Sequence, residues 1–554
     1  MTRITVRVDE QTYHVPAGTR ISEIFGAVFI EERGVVAAAL SNHLVGLDTT
    51  VDGDAEIRPV TATDPEGRAV VQRTASLLLH AAARKRLPEW RFQVGQSLLG
   101  GHFYEVTPPP GTPPEAVDLD AIAHELTAAM AELADSDTPL ERRGVPVEGA
   151  RRVLTRQGDA KDKLLDAWPS RVVSIVSLGD FVDIAHGPYA ATTRHGAGAR
   201  VVPYPPGLLL VFPGTDDAPP EHRGRRLWDA YHEARSWNRR IGAGTLGDLN
   251  AATLEDRLED VIRVAEAFHE KKVAAIADEV AARRDDVRFV CIAGPSSAGK
   301  TTFVMRLKVQ LQVNGFEPVI LNLDNYYRDR SECPRDANGE YDFEALEALD
   351  VPLLHEHLAA LHAGEAVRVP KFDFTRGVRA PQSTWREVRL GERRILLVEG
   401  IHGLNPELTR PLPREASYRI FINALTQLVV DEHNRISTTD TRLIRRIVRD
   451  RRYRGTRACD TIARWPSVRR GEELHIYPFQ DEADVVFNSA LVYELSVLRT
   501  FAWRYLLEVP RNHPSRVQAY RLLKFLEMFV PVFPDGVPAN SVLREFIGGS
   551  DFSY

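Results

Sequence analysis

Cysteine is almost absent: Cys291, Cys333 and Cys459 are the only three in 554 residues. So few, with none at metal-ligand spacing, exclude a disulfide scaffold and fit a reducing compartment. Long apolar runs are missing too. No stretch approaches the roughly 18 residues that a membrane span needs, and MTRITVRVDE carries no charged-then-apolar leader pattern. Nor is there an excess of positive charge, since 70 Lys and Arg stand against 77 Asp and Glu, a net charge of −7. That balance excludes a basic nucleic-acid coat and leaves only a local basic patch open. No internal repeat or low-complexity tract is visible. What is there is ordinary globular usage, 44% hydrophobic and 27% charged, in a chain long enough for about three or four cores. The expectation is a cytoplasmic protein of several domains with no membrane segment.

Composition shifts and proline-rich breaks divide the chain at residues 1–63, 64–224, 225–285, 286–490 and 491–554. The first stretch, ITVRVDEQTYHV, alternates like a half-buried strand. A turn at Pro16–Thr19, a helix start at Ile21–Ile24 and strands near Val35–Leu40 and Ala55–Pro59 follow. This layout resembles the β-grasp TGS domain of threonyl-tRNA synthetases. Residues 69–86 read as a helix stopped by Pro88, and another helix is expected over about 118–134. PPPGTPP at Pro108–Pro114 is a stiff connector, and PYPPGLLLVFPGTDDAPPEHRG ends the region near Gly224. The run GDFVDIAHGPYAATTRH, Gly179–His195, resembles the DLCRGPH stretch of the synthetases' second additional domain, which edits mischarged tRNA there and binds zinc. The four zinc-ligand places hold Arg73, Leu77, Ala185 and Tyr189 here, so the resemblance implies an α+β module without its metal. RNA binding and plain packing both stay open for it, and His80 and His186 read as ordinary surface or core histidines. Residues 254–282 read as one helix with Leu254, Leu258, Ile262, Ala265 and Phe268 on one face.

The second half carries the chemistry. Arg288–Ala293, RFVCIA, suits a buried parallel strand. Directly after it stands GPSSAGKTTF, in which Gly294, Gly299, Lys300 and Thr301 fill the four fixed places of G-x-x-x-x-G-K-[ST]. Glycines let backbone N–H groups close on phosphate oxygens, and the helix that follows aims its positive end at them. Ser296, Ser297, Ala298 and Thr302 complete the expected ATP cradle. Lys300 reaches the β- and γ-phosphates, and the Thr301 hydroxyl ligates Mg²⁺. A random chain of this length matches roughly 2% of the time. A second strand, Val319–Leu323, ends at Asp324, and a third, Ile395–Val398, ends at Glu399. Ligands sit outside that edge of an open α/β sheet. A carboxylate there accepts a proton from an attacking hydroxyl or helps hold Mg²⁺; an ordinary turn Asp is the bland alternative.

The order GPSSAGKTT, LDNYY, YDFEALEALD, PKFDF, VEGIH and RLIRRIVRD with RG after it resembles the uridine kinase and phosphoribulokinase family. With its front modules, the whole chain resembles bacterial uridine kinase-like nucleoside kinases. The resemblance implies an α/β P-loop kinase fold, ATP and Mg²⁺ as cofactors, and transfer to a nucleoside 5′-hydroxyl. It implies Asp324 as the base, Lys300 on the phosphates, Thr301 and Glu399 at the metal, and Asp342 on the ribose. Phe372 and Asp373 would line the acceptor pocket.

Arg442, Arg445, Arg446 and Arg449 recur at i, i+3, i+4 and i+7 and share a helix face with no acidic partner in view. Either they face water, or they form a lid over the transferring phosphoryl group. In the resembled kinases this segment is the lid, which puts Arg446 on the substrate side and Arg449 and Arg454 on phosphate. Arg469 and Arg470 stand beside Gly471, a candidate hinge. The family's pyrimidine readers do not carry over: Phe372 and Gly377 replace a Tyr and a His, and Arg464 replaces a Gln. Three functions therefore stand side by side. They are a nucleoside kinase, a kinase of another acceptor such as a sugar phosphate, and an ATP-sensing RNA-binding regulator. The helical residues 491–554 suit core packing or an oligomer contact equally.

Overall fold

The computed structural model describes residues 2–157, 161–214, 224–335, 339, 341–373 and 376–553. At the N-terminus a five-stranded mixed sheet runs in the order Gln11–Pro16, Arg3–Val8, Ala55–Thr61, Val35–Leu40, His43–Val45. Arg3–Val8 pairs parallel with Ala55–Thr61 while its other neighbour is antiparallel. The inward residues Ile4, Val6 and Val8 meet Ile21, Ile24 and Phe25 of a short helix.

Next comes the helix Pro65–Arg86, with Pro at its first turn and Arg84, Lys85 and Arg86 in its last, an arrangement that fits both helix ends. It packs with Leu119–Asp135, capped by Asp118, on a four-stranded antiparallel sheet. That sheet includes Arg200–Tyr204 paired with Gly207–Val211, so the apolar GLLLV inside the proline-rich stretch is a buried strand, not a connector. Arg73, at one of the four zinc-ligand places, donates from Nη1 to Pro188 O at 2.5 Å and lies 5.9 Å from the ring of Tyr189, at another. His80 is buried against His433 at 3.9 Å between ring centroids.

The helix expected over 254–282 is interrupted. One helix ends at Leu254 and the next starts at Leu258, running to Ala282. Leu254 is 61% exposed, so it belongs to the end of a helix rather than to the buried stripe.

The second half is built on a parallel sheet. Its strands are β1 (Phe289–Ala293), β2 (Glu317–Asn322), β3 (Arg394–Glu399), β4 (Ser417–Asn423) and β5 (Val485–Asn488), in the order β2-β3-β1-β4-β5. All four pairings are parallel. Central β1 is buried along its whole length, which is why FVCIA is continuously apolar rather than alternating. Helix α1 (Lys300–Val313) follows β1, and α2 (Thr438–Tyr453) and α3 (Ala458–His475) lie between β4 and β5.

The C-terminal residues are not an appendage. Leu495, Leu498, Leu522, Leu543 and Phe546 share one buried cluster with Leu443, Ile444 and Ile447 of α2 and with Val173, Ile175, Leu246 and Ile262 from the front of the chain. The segment between β4 and α2 is gripped from the N-terminal side. Val94 N donates to Glu432 O at 2.9 Å, Leu246 N to Val429 O at 2.8 Å and Arg235 Nη1 to Gln427 O at 3.1 Å. Buried Lys161 pairs with Asp183 and lies 3.4 Å from Asp431, while His433 meets Asp183 at 2.9 Å. No helix among the described residues is long and apolar enough to cross a membrane.

Candidate active site

The loop between β1 and α1 holds the site. Gly299 caps α1 at φ 84° and Ser297 also lies in the left-handed region, at φ 59°. A side chain at Gly299 would be strained by that φ and would strike Val542, whose Cγ1 is 2.4 Å from the built Cβ. Lys300 folds back over the loop, its Nζ donating to Gly294 O at 2.9 Å and Pro295 O at 3.3 Å. Its ammonium therefore stands at the loop's centre.

The loop's outer side is gripped peptide by peptide. Ser296 N donates to Glu472 Oε1 at 3.1 Å, and Ser296 O accepts from Arg442 Nε at 3.0 Å. Arg445 Nη1 donates to Ser297 O at 3.3 Å, Arg446 Nη1 to Ser296 Oγ at 2.8 Å, and Ser489 Oγ to Ala298 O. Arg442 is ion-paired with Glu472 and Arg445 with Glu494, all four nearly or wholly sealed from water. The expectation of an unpartnered arginine face is thus corrected. The acids of Arg442 and Arg445 come from α3 and from the helix Glu494–Leu507, out of reach of any local pattern, whereas Arg446 has Asp450 four residues on. Two of the four arginines fasten α2 to the loop rather than solvate a lid.

The other two belong to the site. Arg446 and Arg449 approach Asp450 at 3.3 and 3.1 Å, and Arg454 at 3.5 Å. Three guanidinium groups on one buried carboxylate leave excess positive charge directed at the sheet edge. Arg449 and Arg454 both act on Asp324, which stands in the turn after β2, its N–H donating to Asn322 Oδ1 at 2.8 Å. Burial raises the Asp324 pKa, and Lys300 and these arginines oppose the rise. Burial likewise pushes Glu399, at the end of β3, up to about 7, with Asp324 and Glu545 adding to it and Lys300 opposing.

Asp342 is engaged locally. Its Oδ1 accepts from Glu344 N at 3.0 Å and closes a turn. The side chain that faces Lys300, Arg446 and Asp324 is Glu344, raised to about 7, first by burial. The sequence reading missed it by two residues. Gly471, read as a hinge, lies buried in α3 because Glu344 crosses there: a Cβ would meet Glu344 Cβ at 2.4 Å. Phe372 N donates to Asn325 Oδ1 at 3.2 Å, and its ring lies 5.8 Å from that of Tyr327. Asp373 Oδ1 takes the Arg376 N–H at 3.1 Å, and Gly377 lies at φ 68°. That φ favours glycine at the place where the resembled kinases carry a base-reading histidine. Arg464 is not brought to the cluster; it is exposed on α3, while neighbouring Trp465 is buried beneath Arg442 and Arg446.

Among the described residues no group of three or more His, Cys, Asp or Glu could hold a metal ion by itself. Mg²⁺ does not need such a cage, being usually held by one or two carboxylates together with substrate phosphates. Asp324 and Glu399 offer hard oxygens, and a dication relieves the mutual repulsion of buried carboxylates. This donor set fits Mg²⁺.

The description "Phosphoribulokinase / Uridine kinase family" matches residues 289–496. The uridine kinase of Deinococcus deserti is 33% identical over 198 residues, covering 35% of this chain and 84% of that one. The chain belongs to the phosphoribulokinase/uridine kinase family. A threonine–tRNA ligase of Clostridioides difficile is 32% identical over 164 residues, 29% of this chain. The chain spans only 25% of that ligase's length. Among solved structures, a possible uridine kinase from Bacillus stearothermophilus is matched over 38% of this chain and all of that one, at 17% identity and a TM-score of 0.26. The match makes residues 289–496 a domain of this family; the activity of the whole chain and its acceptor are separate questions.

Proposed function

We propose that the protein transfers the γ-phosphoryl group of ATP to a hydroxyl of a small polyol, with a nucleoside 5′-hydroxyl the first candidate. One observation carries this reading. Lys300, the Arg449–Arg454 pair and the raised carboxylate of Asp324 converge at the sheet edge, the arrangement that phosphoryl transfer by positioning and charge requires. Gly294 and the peptides of Ser296, Ser297, Ala298 and Gly299 wrap the phosphates, with Thr301 and Thr302 opening α1 beneath them. Asp324 accepts the acceptor's proton, and the burial that raises its pKa makes it a stronger base for that step. Glu344 holds an acceptor hydroxyl, and Phe372 with Tyr327 gives the pocket an aromatic wall. Bound Mg²⁺, held through Thr301 and Glu399, would neutralise charge across the β- and γ-oxygens.

The alternative of an ATP-sensing RNA-binding regulator has less behind it. Residues 2–63 carry nine acidic against five basic side chains, and phosphate-backbone binding needs the opposite balance. ATP consumption with Mg²⁺ across the common nucleosides and several sugar phosphates, with Asp324→Asn in parallel, tests the proposal. Turnover of one acceptor, reduced about 10²–10⁴-fold in the variant while ATP binding persists, is expected. Equal turnover by the variant would remove Asp324 as the base.

A further inference from the structure

The short C-terminal helix α4 (Arg544–Ile547) packs Leu543, Phe546 and Ile547 into the core around α2. Glu545 is turned the other way, to the start of α1. Both the backbone N–H and the hydroxyl of Thr302 donate to Glu545 Oε2, at 3.2 and 3.0 Å. Thr302 is fully buried and Glu545 9% exposed, so water has little access to this contact. Next to it, Val542 lies against Gly299. Glu545 is also near enough to Arg454 and Glu399 to act on the charge of each.

The first N–H groups of a helix have no partner within it, and after a glycine-rich loop they are anion ligands. A carboxylate 243 positions downstream in sequence has taken this one, together with the adjoining hydroxyl. A phosphate oxygen and the Glu545 carboxylate compete for the same two donors. They cannot share them, because two anions at contact distance in a buried site repel strongly.

We infer that Glu545 is a built-in competitor for nucleotide. It occupies a phosphate position at Thr302 and must release both donors when MgATP binds, so the C-terminal segment sets the ATP concentration at which the site fills. This inference rests on the phosphate-binding reading of residues 294–302. It goes beyond that reading in assigning a regulatory role to the end of the chain. Helix α4 stays anchored through its apolar side chains, so release is a movement of the Glu545 side chain and its immediate backbone. Gly548 and Gly549, at φ 82° and 72°, follow directly.

The test is calorimetric titration of the full-length protein with MgATP, comparing wild type, Glu545→Gln, Glu545→Ala and Lys300→Ala. Both Glu545 variants are expected to bind MgATP about tenfold more tightly, with Gln retaining the shape of the site and losing the charge. Thermal unfolding gives a second reading. Any loss of midpoint from the Glu545 variants without ligand should shrink or reverse at saturating MgATP, because the wild type has then surrendered the contact. Equal or weaker binding by both variants, with Lys300→Ala abolishing binding, overturns the competitor and leaves the phosphate site intact. Binding that survives in Lys300→Ala, or is absent from every protein, overturns the phosphate-site reading and this inference with it.

Discussion

Glu399 makes the unliganded protein's stability depend on pH in a direction opposite to that of most carboxylates. The residue is 7% exposed, and its carboxyl is raised from 4.5 to about 7, first by burial. Below pH 4.5 it is protonated in both folded and unfolded chains and contributes no pH dependence. Between 4.5 and about 7 the folded state holds a proton that the unfolded state has released, so stability falls as pH rises through that window. Above it, both states are ionised and the loss is complete. A rise of that size corresponds to about 3 kcal/mol, most of it expressed between about pH 5 and pH 8. Glu399→Gln replaces the carboxyl with a neutral group of the same shape and removes this dependence. Urea unfolding of both proteins at intervals across that range, without Mg²⁺, provides the measurement. The wild type should lose about 2–3 kcal/mol more than the variant. A residual slope from Glu344, raised to about 7 for the same first reason, should remain in both. Parallel curves for the two proteins would refute the claim that Glu399 is held protonated by burial, and with it the electrostatic account of the site.

Glu472→Ala removes the buried carboxylate paired with Arg442 Nη2 and the acceptor of Ser296 N–H; denaturant unfolding should show a loss of about 3–5 kcal/mol. Gly471→Ala places a methyl group where Glu344 Cβ lies, so the KM for the acceptor should rise several-fold with little change in the KM for ATP. The rate at saturating ATP should decline as pH falls through the raised value of Asp324, since only the ionised base accepts a proton, and Asp324→Asn should lack that limb. A limb unchanged in the variant would assign it to another group.

What the sequence made legible is what is contiguous. FVCIA, the glycine loop and Lys300 lie within a dozen residues of one another, and each residue type is dictated by its neighbours, so strand, turn and helix follow from local chemistry. Asp324 and Glu399 were equally readable because each ends an apolar strand, and the ends of parallel strands share one edge. The arginines of α2 were not. Their spacing gives a common face, and Asp450 stands four residues after Arg446, but the acids that meet Arg442 and Arg445 are Glu472, 30 residues on, and Glu494, 49 residues on. Nothing periodic connects those positions. Asp342 and Glu344 show a finer limit. Two carboxylates two residues apart in a turn exchange roles with a small change of backbone, and one becomes the cap of the other's N–H. Glu545 is the extreme case: to a sequence it is one acid in an apolar C-terminal run, and only the tertiary core that seats α4 on α2 carries it to Thr302. Residues that do chemistry on elements they themselves build can be read locally. Residues that hold the loop from another part of the chain, as Glu472 and Glu494 do through Arg442 and Arg445, cannot.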